Sequence, residues 1–396
     1  MRPLGRRASF GVAVGVVAIA LWTSAAPTVT YPLYAEEWDL TPAVTTAIFA
    51  VYPLVVVVVM AAFGNLSDYV GRRAAIVTGL GFALVGVVFF AVAPGVEWLF
   101  VGRVFMGIGV ALSFSPATAA VVEFSAPGQA SRASAFTTMA TASGIALATL
   151  VGGALIEYAP FPTRLNYWVL LAVVAAVLVV AWFLPRHTVV EAQGRWRPRA
   201  ISVPAGSRRP FAIGVISVTS AFMIGVIVLS LGADIAKTLI GSTNALVTGA
   251  IISVNAVTIG VAAVFVRAVR APTLILWGAI ATVVGMSLMV LSSVDRSLLL
   301  FLVSGIIAGL GYSFAFAGGL GLVTANAPAQ HRAATLSAMY LLAYFCQGSL
   351  ALLLGIVATI SSLQWAMELG VGIICLFSLA SLALVTTIGR TAEEPA

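Results

Sequence analysis

Apolar positions in this chain come in long blocks. They show neither the two-residue alternation of a half-buried strand nor the one-sided stripe of a surface helix. The blocks occupy residues 9–31, 41–63, 74–93, 97–124, 133–156, 166–184, 211–232, 244–265, 271–292, 297–324, 334–358 and 365–388. As an α-helix rising 1.5 Å per residue, each is long enough for about 30 Å of hydrocarbon. A helix also closes its backbone hydrogen bonds within itself, as lipid requires. Runs such as Val55 to Met60 and Leu298 to Val303 lack the alternating polarity of a membrane-barrel strand. The intervening turns are mostly short, which makes consecutive helices antiparallel neighbours. Only Pro185 to Pro210 reads as a linker, with Arg186, Arg195, Arg197, Arg199, Arg208 and Arg209 against the single acid Glu191. The pattern predicts an all-α polytopic membrane protein of twelve transmembrane helices in two six-helix bundles, 1–184 and 211–396, joined by a cytoplasmic linker at 185–210.

Composition agrees with the pattern. Of 396 residues, 61% are apolar and only 8% charged, whereas a soluble domain carries about 25% charged residues. Twelve spans need roughly 240 apolar positions, close to what is present. Too little polar surface remains for a soluble enzyme, a nucleic-acid binder or a disordered chain. Cys346 and Cys375 both lie inside apolar runs and suggest packing rather than a disulfide framework or a metal cluster. His187 and His331 both fall in loops, so no metal site is expected. Neither a nucleophile with its base nor a phosphate-cradling loop is evident, and neither an enzyme activity nor a cofactor is expected.

The net charge of +7 gains meaning from its placement. With the N-terminus in the cytoplasm, sixteen of the twenty basic residues fall inside: Arg2, Arg6, Arg7, Arg72, Arg73, Arg132, the six linker arginines, Arg267, Arg270, Arg332 and Arg390. By the positive-inside rule both termini are cytoplasmic, in a plasma (inner) membrane whose anionic lipids attract the same residues. Arg6-Arg7, the run from Phe10 to Leu21 and Ser24-Ala25-Ala26 imitate a secretory leader. Cleavage there would leave eleven spans, and the apolar run continues to Tyr31, so an uncleaved first helix is expected.

The two halves repeat. Ala126-Pro127-Gly128-Gln129 with Arg132-Ala133 follows the fourth span, and Ala327-Pro328-Ala329-Gln330 with Arg332-Ala333 follows the tenth. Upstream, Gly107-Ile108-Gly109 has a counterpart in Gly309-Leu310-Gly311.

After the second span stands Gly64-Asn65-Leu66-Ser67-Asp68-Tyr69-Val70-Gly71-Arg72-Arg73. The glycines permit a tight turn and close helix approach, while the acid and paired arginines sit at the cytoplasmic surface. This resembles the major facilitator superfamily signature between helices two and three (Gly-x-Leu-x-Asp-x-x-Gly-Arg-Arg/Lys), and the six-plus-six layout extends the resemblance over the whole chain. The resemblance implies that Asp68 engages the N-terminus of helix eleven and the loop arginines, latching an outward-open state. Glu123, at the inner end of span four, is the natural partner of Arg72 or Arg73. The corresponding loop of the second half, Val266 to Pro272, has Arg267 and Arg270 but no acid, which makes the gate asymmetric.

Arg103 is the only ionisable residue well inside a span. The sequence Arg103-Val104-Phe105-Met106-Gly107-Ile108-Gly109-Val110-Ala111 resembles the superfamily's fourth-helix motif, Arg-x-x-x-Gly-x-Gly-x-Ala, which is associated with proton coupling. An intramembrane charge is costly and so reads as functional. Because Arg does not titrate, Arg103 would tune an acid or bind an anionic group; alternatively it snorkels to the outer surface and anchors its helix. Span five carries Gly144, Ala148, Thr149, Gly152 and Gly153, similar to the fifth-helix antiporter motif but with its central Gly-Pro replaced by Ala148-Thr149. The carboxylates Glu36, Glu37, Asp39, Glu97, Glu157, Asp234, Asp295 and Glu368 are all expected in outer loops or near outer helix ends, with none at the midplane.

The resemblance further implies a central cavity lined by the first, fourth, seventh and tenth helices. Trp22, Tyr31, Ser113, Ser115, Asn255, Tyr312, Tyr340, Tyr344 and Gln347 are its polar and aromatic candidates, each with helix packing as the competing role. Pro27, Pro53 and Pro116 are candidate kinks. Together these features predict a monomeric secondary transporter working by alternating access and exporting a small organic molecule in exchange for protons. The alternatives are an importer or uniporter of a sugar-like or anionic metabolite, and a non-transporting receptor or assembly factor on the same scaffold.

Overall fold

A computed structural model describes residues 4–126, 130–185, 203, 205–242, 244–266, 269–328 and 331–391, without the side chains of 130–132, 134, 135, 205, 332, 333 and 387–391. Most of the linker, the repeated loop residues at 127–129 and 329–330, Arg2, Arg267 and the side chains of Arg132, Arg332 and Arg390 therefore lie outside the described residues. The long helices are α1 (Arg6–Ala25), α2 (Pro42–Phe63), α3 (Arg72–Ala91), α4 (Val96–Glu123), α5 (Ala130–Tyr158), α6 (Leu165–Ala181), α7 (Arg208–Val226), α8 (Ala245–Phe265), α9 (Ala271–Val294), α10 (Leu298–Asn326), α11 (Arg332–Ile360) and α12 (Leu363–Thr391). No strand occurs among the described residues. Eleven of these segments are long and apolar enough to cross a membrane, and α6 is an apolar helix just below that length. It stops before Pro185, which disfavours helical backbone at the residue preceding it.

Two spans differ from the sequence expectation. The first is broken: α1 gives way to a 3₁₀ turn at Ala26–Val29 and then a short helix at Tyr31–Glu37. Pro27 has no N–H to continue α-helical bonding. By contrast, α2 and α4 run on through Pro53 and Pro116. The seventh span is longer than expected. It starts at Arg208, inside the stretch expected as linker, and continues past Val226 through wide π turns at Ile227–Leu231 and Ile235–Leu239. Asp234, expected in an outer loop or near an outer helix end, sits in the last turns of this helix, as does Lys237, and the neighbouring Ile235 and Ala236 are fully buried.

The chain forms two compact units. The first comprises Met1–Leu40, Ile48–Arg199 and Asn244–Ser253; the second comprises Thr41–Ala47, Ala200–Thr243 and Val254–Ala396. Inside the first unit α3 lies along α4, α1 packs on α4, α5 and α6, and α3 packs on α6. In the second, α9 lies along α10, α7 packs on α10, α11 and α12, and α9 packs on α12. Every one of these pairs recurs six helices later. Glycines set a close crossing in each unit. A Cβ on Gly79 would fall 2.7 Å from the Gly109 oxygen, and one on Gly86 would fall 2.7 Å from the Gly102 oxygen. At the equivalent crossing a Cβ on Gly278 or Gly285 would lie 2.5 Å from the nitrogen of Ala315 or Ala308. Helices that meet backbone to backbone gain dispersion energy, which matters where lipid removes the hydrophobic drive between them.

Gly79→Leu should therefore lower the thermal unfolding midpoint in detergent, at a cost of roughly 1–3 kcal/mol from overpacking. Gly81→Leu, two residues away with open space around its Cβ position, should leave the midpoint unchanged within error.

Candidate functional sites: an ion-paired loop, a buried arginine and an aromatic face

The loop after α2 is shaped by its glycines. The Gly64 N–H donates to the Met60 carbonyl at 2.9 Å, and a Cβ there would lie 2.5 Å from the same oxygen. Ser67–Val70 then makes one helical turn. Gly71 stands at φ +87°, a conformation that costs other residues strain, and α3 starts directly after it. This turn aims Arg72 at two carboxylates. Its Nη1 donates to Asp68 Oδ1 at 2.7 Å and to Ser67 Oγ at 2.5 Å, and its Nε donates to Glu123 Oε1 at 3.2 Å. Glu123 ends α4, where the helix dipole disfavours a negative charge, and Arg72 offsets that. The Arg72–Asp68 and Arg72–Glu123 side chains are part-exposed, so each pair is worth only about 0.2–1 kcal/mol. Such a cluster is easily broken. Arg73 parts from its neighbour and lies over the Trp182 ring, 5.4 Å from the centroid. Arg6, read from the sequence only as a topology charge, donates to the Phe124 and Ser125 carbonyls at the end of α4.

Arg103 does not snorkel. It is wholly buried, at 0% exposure, and its guanidinium points into the break of the first span. Nη1 donates to the Ser24 carbonyl at 2.9 Å and Nη2 to the Tyr31 hydroxyl at 2.5 Å. The rings of Tyr31, Phe49 and Tyr52 surround it at 5.8, 5.9 and 5.5 Å, while Nε has no hydrogen-bond partner. The 3₁₀ turn leaves the last carbonyls of α1 without α-helical donors. The guanidinium meets the negative end of that helix, and the ring faces supply further cation attraction. No carboxylate is ion-paired with Arg103 among the described residues. A second set of bonds holds the break from the other side. The hydroxyls of Thr30 and Tyr167 lie 2.6 Å apart, Tyr34 donates to the Thr163 carbonyl at 3.0 Å, and Asn166 Nδ2 donates to the Ala26 carbonyl at 3.4 Å.

The two glycines of the fourth-helix motif are contact points. A Cβ on Gly107 would meet Val55 at 3.0 Å and the Tyr52 oxygen at 3.1 Å, and one on Gly109 would meet the Ala83 nitrogen at 2.6 Å. They bring α2 and α3 against α4 and so set the wall of rings around Arg103. Gly144 of the fifth-helix motif sits against the Ala18 carbonyl of α1.

The cavity candidates divide. Tyr31 is committed to Arg103. Ser113 donates back to the Gly109 carbonyl at 2.7 Å within its own helix, and Asn255 donates to the Gly305 carbonyl at 2.8 Å, tying α8 to α10. Trp22 is buried with its Nε1 unpartnered, and Ser115 is exposed. Tyr312, Tyr340 and Tyr344 do converge, joined by Phe222 and Phe316, which the sequence reading passed over as apolar. Gln347 lies one turn beyond Tyr344, with a buried Oε1 that has no partner.

Arg103→Lys keeps the charge but replaces a two-pronged fork with a point charge, and Tyr31→Phe removes the hydroxyl acceptor. Each is expected to destabilise the folded protein by about 1.5–3 kcal/mol, the range for a hydrogen bond to a charged group. The double variant should cost less than the sum, because both changes remove one shared interaction. Thermal unfolding of the purified variants checks this.

Comparison with known proteins places these features. Over 132 residues, 32% of this chain, the sequence is 35% identical to the multidrug efflux pump LfrA of Mycolicibacterium smegmatis. The match spans only 25% of that relative's length. Among solved structures, a peptide transporter, POT, in a complex with alafosfalin superposes with a TM-score of 0.80 at 18% identity, over 98% of this chain and 95% of that one. A bacterial homologue of the human lysosomal transporter Spinster, inward-facing and unoccupied, superposes with a TM-score of 0.71 at 15% identity, over 98% and 97% of the two chains. Both share the all-helical fold. The sequence profile of the Major Facilitator Superfamily matches residues 12–212, a stretch that holds the ion-paired loop and the buried arginine, and the chain belongs to that superfamily.

Proposed function

We propose that this chain is a secondary transporter of the plasma membrane that works by alternating access and exports a small organic molecule in exchange for protons. Two bundles, 1–184 and 211–396, joined by 185–210, are the rocking bodies, in a monomer with both termini in the cytoplasm. The observation that carries the reading is Arg103, a full charge held at 0% exposure at the break of a membrane helix. Keeping a charge there costs several kcal/mol and selects for a function that repays it. The guanidinium does not release a proton itself. Its role is to hold the Pro27 break in one geometry and to set the field there, so that protonation and substrate binding nearby feel the same fixed charge. The match to a protein named as a multidrug efflux pump supports export.

The loop cluster supplies the gate. Arg72 joins Asp68 to Glu123 through part-exposed contacts, weak enough to open and re-form in each cycle. A second reading, an importer or uniporter of a sugar-like or anionic metabolite, is favoured by one fact: the only acid inside the spans of the second half beyond Asp234 is Glu368, in the first turns of α12.

Purified protein in liposomes with an imposed pH gradient and a panel of solutes tests the proposal. Export is expected to follow the gradient; equilibration that ignores it would establish the uniporter, and no flux of any solute would overturn both readings. Asp68→Asn should keep substrate affinity and lower turnover by up to about fivefold, as expected if about 0.2–1 kcal/mol of one state's stabilisation is lost.

A further inference from the structure

The second unit contains a face of aromatic rings that the gate and the buried arginine leave unused. Tyr312 and Phe316 stand one turn apart on α10, Tyr340 and Tyr344 one turn apart on α11, and Phe222 of α7 touches both pairs. Phe222, Tyr312 and Phe316 are nearly parallel, with interplanar angles of 8°, 15° and 21°. Their three centroid separations are 6.5, 6.2 and 6.1 Å. A column of three stacked rings would set the outer two about twice as far apart as neighbours. Equal separations with parallel planes instead make a terrace, whose broad side is a π surface wider than one ring. Tyr340 continues it at 6.4 Å from both Phe222 and Phe316, tilted by 37° and 38°, and Tyr344 closes one edge with its ring at 74° to Phe222.

Ordinary core rings are sealed. Here Phe222 is buried, but Tyr312, Phe316, Tyr340 and Tyr344 are each only part-buried. At the edge lies Gln347, itself part-buried, whose Oε1 is shut off from solvent and has no hydrogen-bond partner. Its Nε2 lies beside Gly225, one turn on from Phe222. An orphaned amide oxygen costs free energy until a donor reaches it. No acidic or basic residue occurs from Phe211 to Ala233, anywhere in α10, or from Ala333 to Ile360, so the face offers no counter-charge to an ionised ligand.

The geometry points to this terrace as a binding face for a neutral, flat, fused-ring molecule that carries an N–H or O–H donor at its edge, the donor meeting Gln347. A planar ligand gains offset stacking on several rings at once; an anion would be desolvated without compensation, and a cation would gain ring-face attraction but no carboxylate to neutralise it. The inference rests on the reading of the chain as a transporter of small organic molecules and names their class.

The test uses the full chain in lipid nanodiscs and four fluorescent probes with one ring system: phenanthridinone, which is neutral with a ring N–H; N-methylphenanthridinone, which lacks the donor; the N-methylphenanthridinium cation; and a phenanthridine carboxylate. Phenanthridinone is expected to bind saturably and most tightly, about five- to tenfold better than its N-methyl analogue, with both ions weaker still. Gln347→Leu should bring phenanthridinone down to the affinity of the N-methyl analogue and leave the latter unchanged. Tyr312→Leu and Phe316→Leu should weaken both neutral probes alike, by about tenfold. The order of the four probes on the unaltered protein stands even if a variant fails to fold. A charged probe binding as well as phenanthridinone, no saturable binding of any probe, or a folded Gln347→Leu protein with unchanged preference would overturn the inference. Flux of another solute without phenanthridinone binding would overturn it and leave transport standing. The expected binding order without pH-driven flux would support the face and remove proton exchange.

Discussion

A carbonyl at a broken helix inside a membrane must find a donor, and in this protein one arginine serves. Pro27 ends α1 and turns the chain through a 3₁₀ segment, which leaves the Ser24 carbonyl to Arg103. The guanidinium in turn needs compensation for its charge, and receives it from the end of the α1 dipole, the Tyr31 hydroxyl and three ring faces. Neither partner is stable alone: the break would leave unsatisfied backbone, and the arginine would be an unpaired charge in a medium of low dielectric. Thr30, Tyr34, Asn166 and Tyr167 then tie the same break to the start of α6. Helices α1, α2, α4 and α6 thus meet around one fault in the backbone.

The rest of each unit is built by close approach. Gly79 and Gly86 on α3, and Gly278 and Gly285 on α9, occupy the same spacing and seat their helices on the following one. The correspondence extends to every principal helix pair, as expected of a duplicated six-helix element. Chemistry has diverged on that shared frame. The first unit carries the buried charge and the ion-paired loop, while α7, α10 and α11 of the second bring together rings and an amide without a charge among them. The buried charge and the ring face thus fall in different copies of the same helical frame.

The loop after α2 shows how much a local pattern conveys. Gly71 at φ +87° follows from adjacent residues, so the turn was legible in the sequence, and the family resemblance implied that Asp68 would engage the loop arginines without saying which. The choice of arginine for Glu123 was not legible there, since it depends on how α3 is rotated against α4. Arg72 takes Glu123, and Arg73 goes to Trp182. Similarly, Arg6 reads as a topology charge until the fold sets it beside the end of α4.

By itself the sequence determined the all-helical class, the long apolar runs that make its helices and the place of Arg103 inside one of them. All of these follow from periodicity and from the energy of placing polar groups in lipid, which are local properties of the chain. Only the tertiary structure decided what each polar or aromatic side chain does. It committed Tyr31 to Arg103, turned Ser113 and Asn255 to backbone carbonyls, and gathered Phe222 and Phe316 with Tyr312, Tyr340 and Tyr344. It also extended the seventh span through Asp234 and Lys237. The physical reason is that a hydrophobic run makes a helix whichever way it faces. The rotation of each helix about its axis is set by the glycine contacts of its neighbours, which lie far apart in sequence.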